Sequence, residues 1–169
     1  MANRVPASIR IGGQLSADLF DALVAKIQYE GLSAEWGGEI FKASHRSPGE
    51  PLELFDEECA WGQFDELEAF CIENKLPFVR WAGGYPGEWS PERLIFRGED
   101  AADSCMVDES DNVVIDRRTM VELGSVDAAL EYFDAAEFDV PPFIVAGDPP
   151  PTEPPPAAVC GAPEEKGYG

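Results

Sequence analysis

The stretch Gly13-Gln14-Leu15-Ser16 recurs in altered form as Gly62-Gln63-Phe64-Asp65, and this pair decides the predicted fold. Each copy follows a predicted strand and precedes a helix and a second strand, which ends at Trp36-Gly37-Gly38 in one case and at Trp81-Ala82-Gly83-Gly84 in the other. Two strand–helix–strand units in tandem are typical of the split βαβ, ferredoxin-like arrangement. We therefore predict an α/β (α+β) protein in which two helices pack on such a sheet.

The helix after the first copy has the clearest apolar stripe. Ser16 is suited to its N-cap and Gly31 to its C-terminal stop, and residues at helical spacing form one apolar face: Leu19, Phe20, Leu23, Val24 and Ile27. In the second helix Asp65 is the predicted N-cap. Its inward residues are Phe64, Leu67, Phe70 and Cys71, and its outward residues are Glu66, Glu68 and Glu73.

The remaining segments complete a single compact domain with a tail. Residues 1–97 form the predicted ferredoxin-like core, with strands at 8–11, 32–36, 52–61, 76–81 and 93–97. Residues 98–146 are predicted to add an acidic hairpin with its tip at 108–112, a short helix at 117–123, and a last helix capped by Ser125. The inward residues of that last helix are Val126, Ala129, Leu130 and Phe133. Residues 147–169 are rich in proline and are predicted to be a disordered tail.

Net charge is the extreme property of the chain. It has 33 Asp and Glu against 12 Lys and Arg, a formal charge of −21. Such a charge repels nucleic acid and anionic membranes and speeds encounter with cationic surfaces. We expect a basic protein partner, no direct contact with nucleic acid and no membrane contact.

The acid is concentrated in two blocks. Residues 50–73 hold nine acids and no base, and residues 98–148 hold fourteen acids against Arg117 and Arg118. Between them, residues 74–97 are net positive. Acidic residues concentrated in this way favour one or two negatively charged faces on the protein surface. The alternative is an acidic surface that only aids solubility.

No pattern in the sequence indicates catalysis, a cofactor or a metal. The glycines at 12–13 lack the spacing and lysine of a phosphate loop, and the loop at Asp108 has Val113 and Thr119 where a calcium loop needs glycine and glutamate. His45 is the one histidine, and the cysteines are scattered: Cys59, Cys71, Cys105 and Cys160. With no apolar signal core and no stretch near 20 apolar residues, we expect the protein in the host cell cytoplasm.

Aromatic residues near the glycine loop leave a second class of function open. Trp81, Tyr85 and Trp89 either line a ligand groove or pack at the edge of the core. A small-ligand or enzymatic domain would place them or His45 in a concave pocket beside a titratable group with a perturbed pKa.

In size, extreme acidity and lack of a catalytic motif, the chain resembles the anti-CRISPR and anti-restriction DNA mimics of phages and mobile elements. Carboxylates along exposed helix faces and a hairpin tip can stand in for the phosphates of a duplex, which carries one charge per ~1.7 Å of axis. The resemblance implies a non-enzymatic inhibitor that occupies the DNA-binding surface of a CRISPR effector or restriction enzyme. The predicted partner-binding residues are Glu53, Asp56, Glu57, Glu58, Glu66, Glu68 and Glu73 in the first block and Asp108, Glu109 and Asp111 in the second.

A basic nuclease toxin is a second kind of partner that would require the same negative surface. An immunity protein that neutralises a basic nuclease toxin also needs a concentrated negative surface, so the sequence leaves this alternative open.

Overall fold

A computed structural model describes residues 2–150 of the chain. The elements in chain order are β1 (Arg4–Ile11), β2 (Gly13–Leu15), α1 (Ala17–Glu30), β3 (Leu52–Ala60), α2 (Asp65–Glu73), β4 (Phe78–Ala82), β5 (Glu92–Phe96), β6 (Asp103–Met106), α3 (Arg117–Leu123), α4 (Val126–Ala136) and β7 (Phe143–Val145). A short 3₁₀ turn, Ala43–His45, lies between α1 and β3. The protein is therefore a mixed α+β protein, as predicted.

The main sheet has five strands in the order β3-β1-β4-β5-β6, and all neighbours are antiparallel. Because β3 and β4 both run antiparallel to β1 between them, they are parallel to each other, and α2 joins them. This half of the predicted pattern is a split βαβ unit around β1.

The first predicted βαβ unit is wrong. Residues 32–36 form no strand; only Ser33 makes bridges, to Ile40 and Phe55. The physical reason is a tight loop. The Phe41 amide donates to the Leu32 carbonyl at 2.8 Å and closes this loop, so that carbonyl is not free to pair with a neighbouring strand. The strand after α1 is therefore β3, which is antiparallel to β1, and the ferredoxin-like topology is not confirmed.

The helix ends follow the predicted capping chemistry. Ser16 and Ser125 cap α1 and α4 by accepting the amides of Leu19 and Ala128, and Gly31 and Gly124 end α1 and α3 in the left-handed conformation. The apolar stripe of α1 packs on the sheet through Leu23 and Ile27, which are fully buried. Core partners from the strands include Ile9, Ile11, Leu54 and Phe78.

The start of α2 differs from the prediction. Asp65 is the first helical residue and Phe64 is the N-cap, which has no side-chain acceptor to offer. Two other carboxylates replace it: Glu30 at the end of α1 accepts the Glu66 amide at 2.9 Å, and Glu68 accepts the Phe64 amide at 3.0 Å. The N-terminus of α2 is therefore capped by one carboxylate from α1 and one from its own first turn.

The segment after residue 97 extends the main sheet and covers part of its second face. β6 pairs with β5, and a single bridge between Val107 and Val113 closes the predicted hairpin. In α4 the predicted inward residues Val126 and Leu130 are 64% and 56% exposed. The helix instead buries Ala129 and Ala136, because Arg93 of β5 and Arg97 just after it donate to the carbonyls of Ala136 and Ala135 and so fix its C-terminal end on the sheet.

A second, two-stranded sheet joins the two ends of the domain. β2 runs parallel to β7, and Arg46 forms a largely buried two-bond ion pair with Asp148 that fastens the chain after β7. The predicted tail, residues 147–169, therefore has a fixed residue, Asp148, near its start. Residues 151–169 lie outside the described residues. Within residues 2–150, no helix combines the length and apolar composition needed to cross a bilayer.

Candidate partner-binding surface

The carboxylates of Asp56, Glu57 and Glu58 lie at a bulge on the edge strand β3. Val5 pairs with Cys59 and Ala7 with Asp56, so β3 has one extra residue opposite Pro6. Proline has no amide hydrogen to donate, and the ladder is interrupted there. A regular strand would turn alternate residues inward, whereas the bulge leaves Glu57 and Glu58 both exposed beside a half-buried Asp56.

Contacts within the bulge fix its shape without neutralising its charge. An oxygen of Asp56 accepts the Glu58 amide at 2.9 Å. Arg4 is close, but it donates to the backbone carbonyl of Glu58 at 2.7 Å. Among residues 2–150, no Lys or Arg lies within ion-pair distance of the three carboxylates.

The tip of the second acidic block lies at the same end of the sheet. The amide of Gly83 donates to the Pro6 carbonyl at 2.8 Å, and Glu109 accepts the amide of Gly84 at 3.2 Å. The bulge of β3, Pro6 of β1, Gly83 after β4 and Glu109 therefore follow one another across the sheet, with β3 and β4 two strand spacings, or about 10 Å, apart. We call Asp56, Glu57, Glu58 and Glu109 the acidic end.

Asp108 has a local structural role. Its carboxylate accepts the amides of Ser110 and Asn112 and the side-chain amide of Asn112. The bonds from Asn112 and Ser110 hold the pKa of Asp108 below its ordinary value. Both oxygens face the loop itself, so this carboxylate shapes the turn that presents Glu109.

The ten predicted residues do not form one surface. Four of them are paired with a base, at nitrogen–oxygen distances of 2.5 to 2.9 Å: Glu53 with Arg10, Glu66 with Lys26, Glu68 with Arg80 and Asp111 with Arg93. Glu73 is exposed at the far end of α2. The structure brings together the acidic end, and the other predicted residues lie elsewhere or are neutralised.

Glu68 corrects the prediction that it faces outward. Its side chain is only 13% exposed, because the side chain of Arg80, 3% exposed, lies between Glu68 and Glu92 on the helix-covered face of the sheet. Nε of Arg80 lies 2.6 Å from Glu68 without the angle of a hydrogen bond, while the guanidinium donates to Glu92 and to the Gly62 carbonyl. The sequence signal was an arginine at an inward position of the strand Phe78–Ala82.

The opposite face of the sheet has a groove of about 300 Å³. Phe55 and Trp81 line it, and Trp36 packs on both, at ring-centroid distances of 4.9 and 6.5 Å. Its charged groups are largely engaged with each other, Arg10 with Glu53 and Arg93 with Asp111. Those paired groups are poorly placed to exchange protons with a substrate.

His45 and the described cysteines also have structural roles. The imidazole accepts the Lys42 amide at Nδ1 and faces Glu39 through Nε2, so neither nitrogen is directed at a nucleophile. Cys59, Cys71 and Cys105 are buried free thiols. Burial raises the pKa of all three, that of Cys59 to about 12, which keeps them protonated and poor nucleophiles at neutral pH.

Comparison with known proteins gives no relative from which a role could be transferred. No protein-family model, no curated protein and no solved structure matches the chain.

Proposed function

We propose that the protein is a non-enzymatic inhibitor whose acidic end occupies the DNA-binding surface of a host defence complex in the cytoplasm, either a CRISPR effector or a restriction enzyme. The observation that carries the proposal is the β3 bulge, which presents three consecutive carboxylates with no base paired to them in the described part of the chain. Glu109, from a block about fifty residues further along, adds charge at the same end.

Long-range attraction and the shape of this sheet edge both favour a basic partner of this kind. A basic groove built for phosphates attracts clustered carboxylates over long range, and association is then fast and sensitive to salt. The bulge also prevents a further strand from pairing at this edge. A partner would therefore contact the carboxylate side chains and not the backbone of β3. The defence-complex assignment itself comes from the resemblance in size and acidity to anti-CRISPR and anti-restriction DNA mimics.

The test is charge reversal at the bulge with a charge-matched control. The first variant replaces Asp56, Glu57 and Glu58 with lysine; the control replaces three exposed carboxylates of α4, Asp127, Glu131 and Asp134, with lysine. Displacement of labelled duplex DNA from purified CRISPR effectors and restriction enzymes is measured at about 50 mM and about 300 mM KCl.

The proposal expects inhibition by the natural protein that weakens with salt, is lost in the bulge variant and is retained in the α4 variant. Equal loss in both variants would show that net charge acts without a defined surface. Inhibition of a basic nuclease toxin alone, added to the same panel, would support the immunity-protein alternative instead.

A further inference from the structure

Trp61 lies in a turn that is poorly suited to tryptophan. The turn Ala60–Gln63 joins β3 to α2, with the Gln63 amide donating to the Ala60 carbonyl at 3.3 Å. Its central residues have positive φ angles, 59° for Trp61 and 67° for Gly62. Asn-Gly is the favoured pair in such a turn, because a bulky side chain in the left-handed conformation is strained. Trp61 is also 52% exposed, so burial does not account for its presence.

The indole of Trp61 extends an aromatic surface made by the next loop. Its ring centroid lies 6.0 Å from that of Trp89, which in turn stacks on Tyr85 at 5.2 Å with an interplanar angle of 28°. Two hydrogen bonds hold this loop: the Tyr85 amide donates to the Trp89 carbonyl, and the Trp89 indole donates to the Gly83 carbonyl. We call Trp61, Tyr85 and Trp89 the aromatic platform.

Hollows lie on both sides of Trp89. One, of about 280 Å³, is lined by Trp61, Gln63, Ala82 and Glu92 among others. The second, of about 410 Å³, is lined by residues 84–91 and Glu109. A side chain lying over Trp89 can therefore reach Glu88 or Glu109 through the second hollow, whereas Glu92 in the first is already paired with Arg80.

The unpaired charges beside the platform are those of Glu88 and Glu109, because the nearby Arg80 is buried and paired with Glu68 and Glu92. Glu88 accepts a hydrogen bond from the Asn3 side chain at 2.7 Å, and Glu109 accepts one from the Gly84 amide, so both are positioned by neutral donors. Neither has a base within ion-pair distance in residues 2–150. Aromatic faces are themselves electronegative, so rings and carboxylates together favour a cation.

We propose that the aromatic platform is a binding site for an arginine side chain of a protein partner. The planar guanidinium stacks on the indole rings while its N–H groups donate to Glu88 or Glu109. A lysine ammonium has no plane to stack, which makes arginine the better fit. The proposal does not depend on the DNA-mimic function, because a single arginine suffices to test it.

The probe is a blocked Gly-Arg-Gly tripeptide, with Gly-citrulline-Gly as the neutral isostere. Binding is followed through the indole N–H signals in proton–nitrogen NMR spectra, at peptide concentrations up to about 20 mM. The arginine peptide should shift the signals of Trp61 and Trp89, leave those of Trp36 and Trp81 in place, and bind at least about tenfold more tightly than the citrulline peptide.

The decisive variant is Trp61→Asn, with Trp36→Asn as the control at the other exposed tryptophan. Trp61→Asn should lose arginine binding while its midpoint of urea unfolding stays equal or rises, because asparagine suits the turn. Trp36→Asn should bind the arginine peptide as the natural protein does. The proposal is overturned by equal binding of the two peptides, by no shifts, or by a Trp61→Asn variant that unfolds at lower urea.

Discussion

Arg80 is the residue on which the helix-covered side of the sheet depends electrostatically. Its guanidinium is buried among Glu68, Glu92 and the Gly62 carbonyl, which lie on α2, on β5 and in the turn before α2. A buried charge is tolerated only when its partners remain, since the cost of removing it from water is otherwise uncompensated. The ion contact therefore couples the position of α2 to the main sheet.

Replacing Arg80 with methionine should lower the free energy of unfolding by about 3–5 kcal/mol, because Glu68 is left as a poorly solvated charge. Urea unfolding at pH 7 measures the change. The double variant Glu68→Gln, Arg80→Met should recover part of the loss, since the more deeply buried of the two carboxylates that lose Arg80 is then neutral, while Glu92 is 41% exposed. Arg118→Met is the control: its exposed pair with Glu122 on α3 should cost less than about 0.5 kcal/mol. Equal losses for the two arginines would contradict the coupling.

Glu30 gives a pH-dependent prediction. Burial raises its pKa above the ordinary value despite the amides of Glu66 and Leu67, and Asp65 and Glu66 raise it further. An acid with a raised folded pKa makes the folded state less stable as pH rises from its unfolded to its folded pKa. Glu30→Gln keeps an oxygen to cap α2, so the variant should be at least as stable as the natural protein at pH 7.

The stability advantage of Glu30→Gln should shrink as pH falls below the ordinary glutamate range, where Glu30 is neutral in both states. Thermal unfolding at several pH values follows the difference. Glu30→Ala, which removes the capping oxygen, should be less stable than Glu30→Gln throughout. A difference that does not change with pH would show that the charge of Glu30 is not the cause.

Among the elements, the sheet of β2 and β7 depends most on one glycine. Gly12 follows β1 and directs the chain into β2; a Cβ atom there would lie 2.1 Å from the Pro141 carbonyl oxygen and 2.9 Å from Cγ1 of Val140. The Pro141 carbonyl belongs to the backbone and cannot move without shifting the chain before β7, whereas the Val140 contact is to a side-chain methyl group. Arg46 and Asp148 then fasten the far side of β7.

Gly12→Ala should cost about 3 kcal/mol of stability, since the added methyl group meets backbone. Gly87→Ala is the control: φ is +80° there but the space is open, so the cost should be about 1 kcal/mol from backbone strain alone. Hydrogen exchange should show faster exchange at the amides of Gly13 and Phe143, which bond to Pro142 and Glu50, only in Gly12→Ala. Similar exchange in both variants would contradict the steric account.

Local chemistry made several elements predictable. Helix ends were predictable because a cap depends on the local residue type: a serine side chain accepts the first free amides, and glycine adopts the left-handed conformation easily. The residues concerned are Ser16, Ser125, Gly31 and Gly124. The strand at 32–36 was wrongly predicted because period-two alternation over five residues does not reveal whether a neighbouring strand is free to pair. The platform residue Trp61 was missed, although tryptophan before glycine at the end of a predicted strand is an unusual turn signal.

At the scale of the whole molecule, the acidic blocks predicted where charge lies in sequence but not which charges remain free. Arg10, Lys26, Arg80 and Arg93 come from separate elements and neutralise four of the ten predicted residues. These pairings depend on sheet order and on helix packing, which block counts do not contain. Of the six that remain, the structure brings four together at the acidic end, where a bulge and a hairpin tip meet through the contact between Pro6 and Gly83.

The excess of negative charge predicts how stability depends on salt. The exposed ion pairs contribute at most about 1 kcal/mol each, and salt weakens them. Repulsion among the carboxylates that make up a net charge of −21 acts over longer distances, and salt screens it once the Debye length falls to about 10 Å near 0.1 M. Repulsion should dominate, so the melting temperature should rise between about 10 mM and about 500 mM KCl. The variant Asp127→Asn, Glu131→Gln, Asp134→Asn carries three fewer charges and should show a smaller rise. A melting temperature that falls with KCl would mean that the ion pairs, rather than the unpaired carboxylates, govern the electrostatics of the folded protein.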